Sequence, residues 1–184
     1  GNVTMAKKVL IISTSLRGKS NSEILAKECE KGARDAGHDV ECLSLRGKDI
    51  RFCIGCLSCQ KTGSCVLKDD VPEIMAKVKA AEVVVFATPI YYYEMSGQMK
   101  TLLDRLNPLY DSDYCFRDIY MIATAAEDEN TTIEKAYNGL QGWVDCFERA
   151  TLKGYVFGGG INDAGEAVQH AEAMRQAYDL GWNV

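Results

Sequence analysis

Histidine is scarce in this chain: His38 and His170 are the only two among 184 residues. Far apart in sequence, they leave little material for a His-rich metal site or a Cys–His nucleophile. An excess of positive charge is also absent. Lys+Arg 21 against Asp+Glu 26 gives a formal net charge of -5. That excludes a surface built mainly for nucleic acid, whose phosphates require a basic footprint. No long hydrophobic run occurs. Stretches such as Val83 to Ala87 have strand length, far below the roughly 18 residues of a membrane span. Lys7-Lys8 ahead of Val9-Leu10-Ile11-Ile12 only faintly imitates a signal peptide, since Arg17 and Lys19 follow with no small-residue cleavage site. The expectation is a cytoplasmic protein without membrane or nucleic-acid partners. Gly1–Thr4, ahead of Met5, reads as an expression remnant.

What remains is an ordinary folded composition, with 47% apolar and 26% charged residues. The length suits one domain, expected over 5–184. Apolar runs at Lys7 to Ser13, Val83 to Thr88, Ile119 to Ala125 and Tyr155 to Phe157 are nearly continuous, and Asp39 to Leu45 is a weaker alternating run. Continuous runs of this length suit parallel strands covered on both faces. Between them the period turns helical. Val71, Ile74, Met75 and Val78 share a face, as do Met99, Leu102, Leu103 and Leu106. Ile133, Ala136, Tyr137, Leu140, Val144 and Phe147 form a third stripe, and Ala167, Val168, Ala171, Met174 and Tyr178 a fourth. Ser20 with Glu23 is a capping box, and Gly37 is a stop. Five strands each followed by a helix predict a doubly wound α/β domain, a three-layer sandwich around a five-stranded parallel sheet.

Ligands in such sheets bind beyond the carboxyl ends of the strands. The first such loop, Ser13 to Ser22, offers hydroxyls from Ser13, Thr14, Ser15, Ser20 and Ser22, and a guanidinium from Arg17. It opens a helix, where free N–H groups favour an anion. Gly18-Lys19-Ser20 resembles the tail of a nucleoside-triphosphate loop, but Ser13 stands where the first glycine belongs, and no acidic residue ends a later strand to hold magnesium. With Gly18 alone, the loop also fails the dinucleotide pattern. A monophosphate fits best, against the simpler reading of a Ser/Thr-rich helix cap. After the third strand, Thr88-Pro89-Ile90-Tyr91-Tyr92-Tyr93 puts three aromatic rings at a strand end, suited to walling a flat tricyclic cofactor.

Eight cysteines are present. Cys29, Cys42, Cys115 and Cys146 are scattered and read as small buried hydrophobes. Cys53, Cys56, Cys59 and Cys65 have the spacing C-x2-C-x2-C-x5-C inside a long connection, 46–70. Three thiolates at such steps can converge on one iron–sulfur cubane with a fourth from nearby chain. Zinc is less natural. A redox disulfide and unligated thiols stay open beside a [4Fe–4S] cluster.

Together these segments resemble the NADPH-dependent FMN reductases of the flavodoxin-like superfamily. Ser15-Leu16-Arg17-Gly18-Lys19-Ser20-Asn21-Ser22 is similar to that family's S-P-R-x-x-G-N-S loop. Thr88-Pro89-Ile90-Tyr91 with Lys100 and Asp104-Arg105 is similar to its T-P-x-Y…K…D-R stretch. The four cysteines with Asp69-Asp70 resemble the iron–sulfur flavoprotein branch. Three positions depart from the pattern: Leu16 replaces a proline, Thr14 a common glycine, and Thr124-Ala125-Ala126-Glu127 lacks a glycine.

The resemblance implies FMN phosphate contacts at Ser15, Arg17, Asn21 and Ser22, beside the loop hydroxyls of Ser13 and Ser20. It implies flavin-ring contacts at Pro89, Ile90, Tyr91 and Tyr92, with Thr124 and Ala125 completing the site. A homodimer or a pair of dimers is implied as well. The expected function is an FMN oxidoreductase. It would take hydride from NAD(P)H and deliver electrons to a quinone, a flavin or an iron–sulfur acceptor, either a small molecule or a redox protein. No side-chain acid or base is required, because the flavin carries the chemistry. The competing readings are a flavodoxin-type carrier and a cysteine-based redox sensor.

Overall fold

The computed structural model describes residues 5–184, and the remnant expected at Gly1–Thr4 lies outside the described residues. The elements run β1 (Lys8–Ser13), α1 (Asn21–Asp35), β2 (Asp39–Ser44), α2 (Ser58–Thr62), α3 (Val71–Ala80) and β3 (Val83–Pro89). They continue as α4 (Gly97–Arg105), β4 (Asp118–Thr124), α5 (Glu134–Val144), β5 (Thr151–Gly158) and α6 (Ala171–Asn183). Short 3-10 turns follow α4, at Asn107–Leu109, and precede α6, at Glu166–Gln169. All strand pairs are parallel, in the order β2-β1-β3-β4-β5. This is the doubly wound α/β sheet that the sequence predicts, with the flavodoxin-like strand order.

Both faces are covered, so the middles of the central strands, Val9–Ile12 and Val83–Ala87, are apolar at every position. In β1, Leu10 and Ile12 join a core with Met99, Leu102, Leu106 and Leu140 from α4 and α5. Val9 and Ile11 face the opposite core, with Leu25 and Ala26 of α1 and Ala173 and Ala177 of α6. Burying each of these larger side chains stabilises the fold by roughly 1.5–3 kcal/mol. β1 pairs with β2 on one side and β3 on the other. The chain therefore winds outward, returns and winds the other way, leaving a crevice at the carboxyl ends of β1 and β3.

Two expectations about packing fail. Of the expected stripe, Ala167 is buried and Met174 packs partly against the core, but Val168 and Ala171 are exposed, and the buried residues of α6 are Ala173, Ala177 and Gly181. The cause is close approach to α1. A Cβ at Gly32 would lie 2.0 Å from the Tyr178 carbonyl oxygen, and one at Gly181 would lie 2.0 Å from that of Cys29. Large side chains are excluded from this contact, so hydrophobic periodicity misses it. The scattered cysteines also divide. Cys29 is buried and Cys42 partly so, whereas Cys115 and Cys146 are exposed. Burial, with the charges of Cys42 and Glu30, pushes the Cys29 thiol up to about 12. Burial likewise takes Cys42 to about 11, so neither is a thiolate near neutrality.

Candidate functional site

The loop after β1 is stitched to its neighbours by its own backbone. Thr14 N–H donates to Ala87 O at 2.9 Å and Leu45 N–H donates to Ser13 O at 2.9 Å. The Thr14 hydroxyl donates to Ala87 O at 2.8 Å and takes the Ser96 hydroxyl at 3.1 Å. Ser96 caps α4 by accepting from Met99 N–H at 3.2 Å. Thr14 thus ties the first loop to the third.

Ser20 caps α1, accepting from Glu23 N–H at 3.3 Å, and its hydroxyl meets that of Ser22 at 3.1 Å. Glu23 turns to Arg46 instead of closing a reciprocal box. Ser15 accepts from Arg17 N–H at 3.2 Å. Arg17 donates to Asn162 O at 2.8 Å. The Asn21 amide donates to Asp163 O and accepts from Ala167 N–H, both at 2.9 Å. The loop after β5 therefore braces the first loop, a role for Asn162 and Asp163 that sequence reasoning missed. The run Gly158-Gly159-Gly160 at the strand end was the available signal.

Ser13, Ser15, Ser20, Asn21 and Ser22 are all buried. The Ser13 hydroxyl, at the end of β1, is buried with no hydrogen-bond partner. Such a group costs roughly 1–3 kcal/mol when left unsatisfied. A cluster of buried hydroxyls with an orphan among them, at a helix N-terminus, has the donor chemistry for a phosphate monoester.

The third loop makes an unusual turn. Tyr91 and Glu94 exchange backbone hydrogen bonds, each of 3.0 Å. Between them Tyr92 has φ 50° and Tyr93 φ 66°, the signs of a type I′ turn that normally selects Asn-Gly. Tyr93 OH donates to Glu127 Oε1 at 3.0 Å, and Lys135 Nζ lies 5.5 Å from its ring centre. That hydrogen bond and the Glu127 charge push the phenol pKa up. Tyr92 is 100% exposed. Ile90 N–H donates to Thr124 O at 2.8 Å, and Ala125 N–H to Gly158 O at 3.1 Å. Pro89, Ile90, Thr124 and Ala125 are thereby brought side by side. A cleft of about 530 Å³ opens beside this turn, lined in part by Leu16, Leu45, Ile50, Phe52, Tyr91 and Gly97. The cleft therefore has apolar and aromatic walls, near the buried hydroxyls of the first loop.

The cysteine segment divides in two. Its first residues, Lys48 to Phe52, stay at the cleft. Cys53, Cys56, Cys59 and Cys65 line a separate small cavity with Asp104, Arg105, Asn107 and Pro108, at the carboxyl end of α4. α4, nine residues long, spans about 13 Å at roughly 1.5 Å per residue, while Phe52 at the cleft and Cys53 at the cavity are consecutive.

Gly55 N–H donates to Cys53 Sγ and Leu67 N–H to Cys65 Sγ, each at 3.4 Å, and Asn107 donates to Cys59 Sγ at 3.1 Å. Hydrogen bonds from the Ser58 hydroxyl and N–H hold the Cys56 thiol below its usual value. Every sulfur thus has a donor, an environment suited to thiolates. Among the described residues, no three cysteine, histidine or carboxylate side chains form a group that could hold a single metal ion. The donor chemistry fits a sulfur-ligated cluster, and all four cysteines line one cavity.

The model of the family described as NADPH-dependent FMN reductase matches residues 7–134. The chain belongs to that family. It is 38% identical over 102 residues to an iron–sulfur flavoprotein of Methanocaldococcus jannaschii, covering 55% of this chain and 53% of the relative. It is 25% identical over 138 residues to an iron–sulfur flavoprotein of Methanosarcina thermophila, covering 74% and 72%. The first of these matches thus spans about half the relative's length. Among solved structures, an NAD(P)H:quinone oxidoreductase from Methanothermobacter marburgensis superposes with TM-score 0.76 at 17% identity, over 97% of each chain. At that identity the likeness speaks for the fold. Family membership bears on FMN and a nicotinamide donor. Iron and sulfur enter through the names of relatives.

Proposed function

We propose that this chain is an FMN-dependent oxidoreductase that takes hydride from NAD(P)H and passes the electrons to a quinone, flavin or iron–sulfur acceptor. One observation carries the reading: a cluster of buried hydroxyls containing the orphaned Ser13 lies at the carboxyl end of β1, next to the strand that leads into a strained tyrosine turn, at the point where strand order reverses. Bound there, FMN supplies hydride acceptance and electron release. Ser13, Ser15, Ser20 and Ser22 hold the phosphate, with the α1 N-terminus adding N–H groups. Arg17 adds charge at the rim, and Asn21 acts through the β5–α6 loop it fixes. Pro89, Ile90, Tyr91 and Tyr92 wall the ring, and the backbone at Thr124 and Ala125 faces its polar edge. No catalytic side chain is assigned.

Cys53, Cys56, Cys59 and Cys65 would hold a [4Fe–4S] cluster, whose chemistry is one-electron transfer. Cys53 at this cavity directly follows Phe52 at the cleft, so the cluster would lie next to the flavin end of the segment. The nearly bare Tyr92, with Phe52 77% exposed, supports a homodimer or tetramer in which a second copy covers this end. Cytoplasmic location follows from the same reading, as does a single FMN-binding domain over 5–184. Among the described residues no helix is long and apolar enough to cross a membrane.

The test is a spectrum and FMN assay of the purified chain, followed by NADH and NADPH oxidation with menadione as acceptor. A yellow protein that consumes nicotinamide supports the enzyme. A yellow protein inert to both donors is a carrier, and a colourless one that cannot be loaded with FMN removes the proposal.

A further inference from the structure

Arg105 is the largest fully buried side chain, 1% exposed. Its Nη1 donates to Asp69 Oδ2 at 2.6 Å and to Arg51 O at 2.8 Å, and its Nη2 donates to Asp69 Oδ1 at 2.9 Å. Asp69 also accepts from Arg51 N–H at 2.9 Å and from Val71 N–H at 3.1 Å. The two charges thus close the base of the cysteine loop, residue 51 to residue 69, onto α4. A clasp between two chain segments needs only these contacts. One group is left over: Arg105 Nε is buried with no partner, and Arg105 lines the four-cysteine cavity. Cys65 lines that same cavity, and Leu67 N–H donates to its sulfur at 3.4 Å.

We propose that Arg105 is a positioning residue of the four-cysteine site, held rigid by Asp69 so that its free Nε–H hydrogen-bonds the Cys65 sulfur and holds that sulfur toward the cavity. This deepens the reading of the cysteines as cluster ligands and rests on it. The planar guanidinium is suited to the task because two edges can be occupied by a carboxylate while the third N–H points elsewhere. Lysine cannot do both from a fixed position. A cationic donor on a cluster thiolate also stabilises the more reduced, more negative cluster, so it raises the reduction potential.

The experiment compares wild type with Arg105→Lys and with the double variant Arg105→Met/Asp69→Asn, which removes both buried charges and avoids leaving one unpaired. Each full-length protein is reconstituted anaerobically with ferrous iron and sulfide. The rate of iron loss to a chelator is measured, and the potential is titrated with EPR detection. FMN content serves as the control for folding. Iron loss at least tenfold faster in both variants, a lower potential in the double variant and unchanged FMN are expected. Iron retention and potential equal to wild type overturn the inference, and so does faster loss with no shift in potential, which marks a structural clasp alone. If wild type takes up no iron, the cluster reading fails separately. Alkylation of Cys65 by iodoacetamide at one fixed pH, followed by mass spectrometry, then decides. At least threefold faster modification in Arg105→Lys supports the positioning role, and equal rates overturn it.

Discussion

Tyr92 invites a measurement in which losing an aromatic ring strengthens the protein. Its φ of 50° places an L-residue with a Cβ in the left-handed region, at about 1–2 kcal/mol. Its side chain is 100% exposed, so truncation removes no packing from the free chain. Asparagine tolerates this backbone region far better, and Tyr92→Asn is expected to stabilise the FMN-free protein by about 1 kcal/mol. For a chain of this size that raises Tm by about 2–4 °C. Tyr92→Gly also relieves the strain but enlarges the unfolded ensemble, by about 0.4–1 kcal/mol, so it should gain less. Tyr92→Ala keeps the Cβ and should change little, and Tyr92→Val should lose stability because β-branching is worst at positive φ. Thermal unfolding of the four FMN-free variants gives the order Asn, Gly, then Ala near wild type, then Val. Flavin titration of the same proteins should show weaker FMN binding throughout, because the strained ring serves as a wall of the flavin site. A series in which Asn lowers Tm, or in which Val equals Asn, refutes the strain argument. Unchanged FMN affinity refutes the wall.

Other outcomes follow from the same reasoning. Ser13→Ala removes a buried hydroxyl without a partner; it should stabilise the FMN-free chain by about 1 kcal/mol and weaken FMN, read by urea midpoint and flavin titration. Ser15→Ala/Arg17→Ala should also weaken FMN, and equal affinity would remove the phosphate-loop assignment. Gly32→Ala puts a Cβ 2.0 Å from a backbone oxygen of α6 and should cost about 3 kcal/mol, seen as a lower urea midpoint at unchanged slope. Asp69 is driven up by burial, but hydrogen bonds from Arg105, Arg51 N–H and Val71 N–H outweigh this and hold its carboxyl at about 2. Its depressed value means stability that is fully present above the ordinary carboxylate range and lost as pH falls from about 4 to about 2. That amounts to about 2 kcal/mol, and Asp69→Asn should flatten this acid limb; an unchanged limb would dismiss the pair as its source.

The sequence by itself determined the sheet, three of the helical faces and the two loops proposed to bind the ligand. Strands buried on both faces need unbroken apolar runs, and Val9 to Ile12 and Val83 to Ala87 supply them locally. Caps are equally local: Ser20 and Ser96 each bind an N–H three residues on. The hydroxyls of the first loop and the tyrosines of the third were legible for the same reason, as residue types at strand ends. Tertiary structure decided whatever depends on a partner distant in sequence. The β5 strand proved longer than its apolar centre, Thr151–Gly158, because its pairing with β4 and not its own hydrophobicity extends it. The inward face of α6 is made of small residues, chosen by contact with α1. Asn21 turns to Asp163 across 142 positions, and Arg105 to Asp69 across 36. The cysteines were visible as a spacing, but their place at the far end of α4 was not, because a long connection is positioned by the charges that anchor it and not by any period of its own.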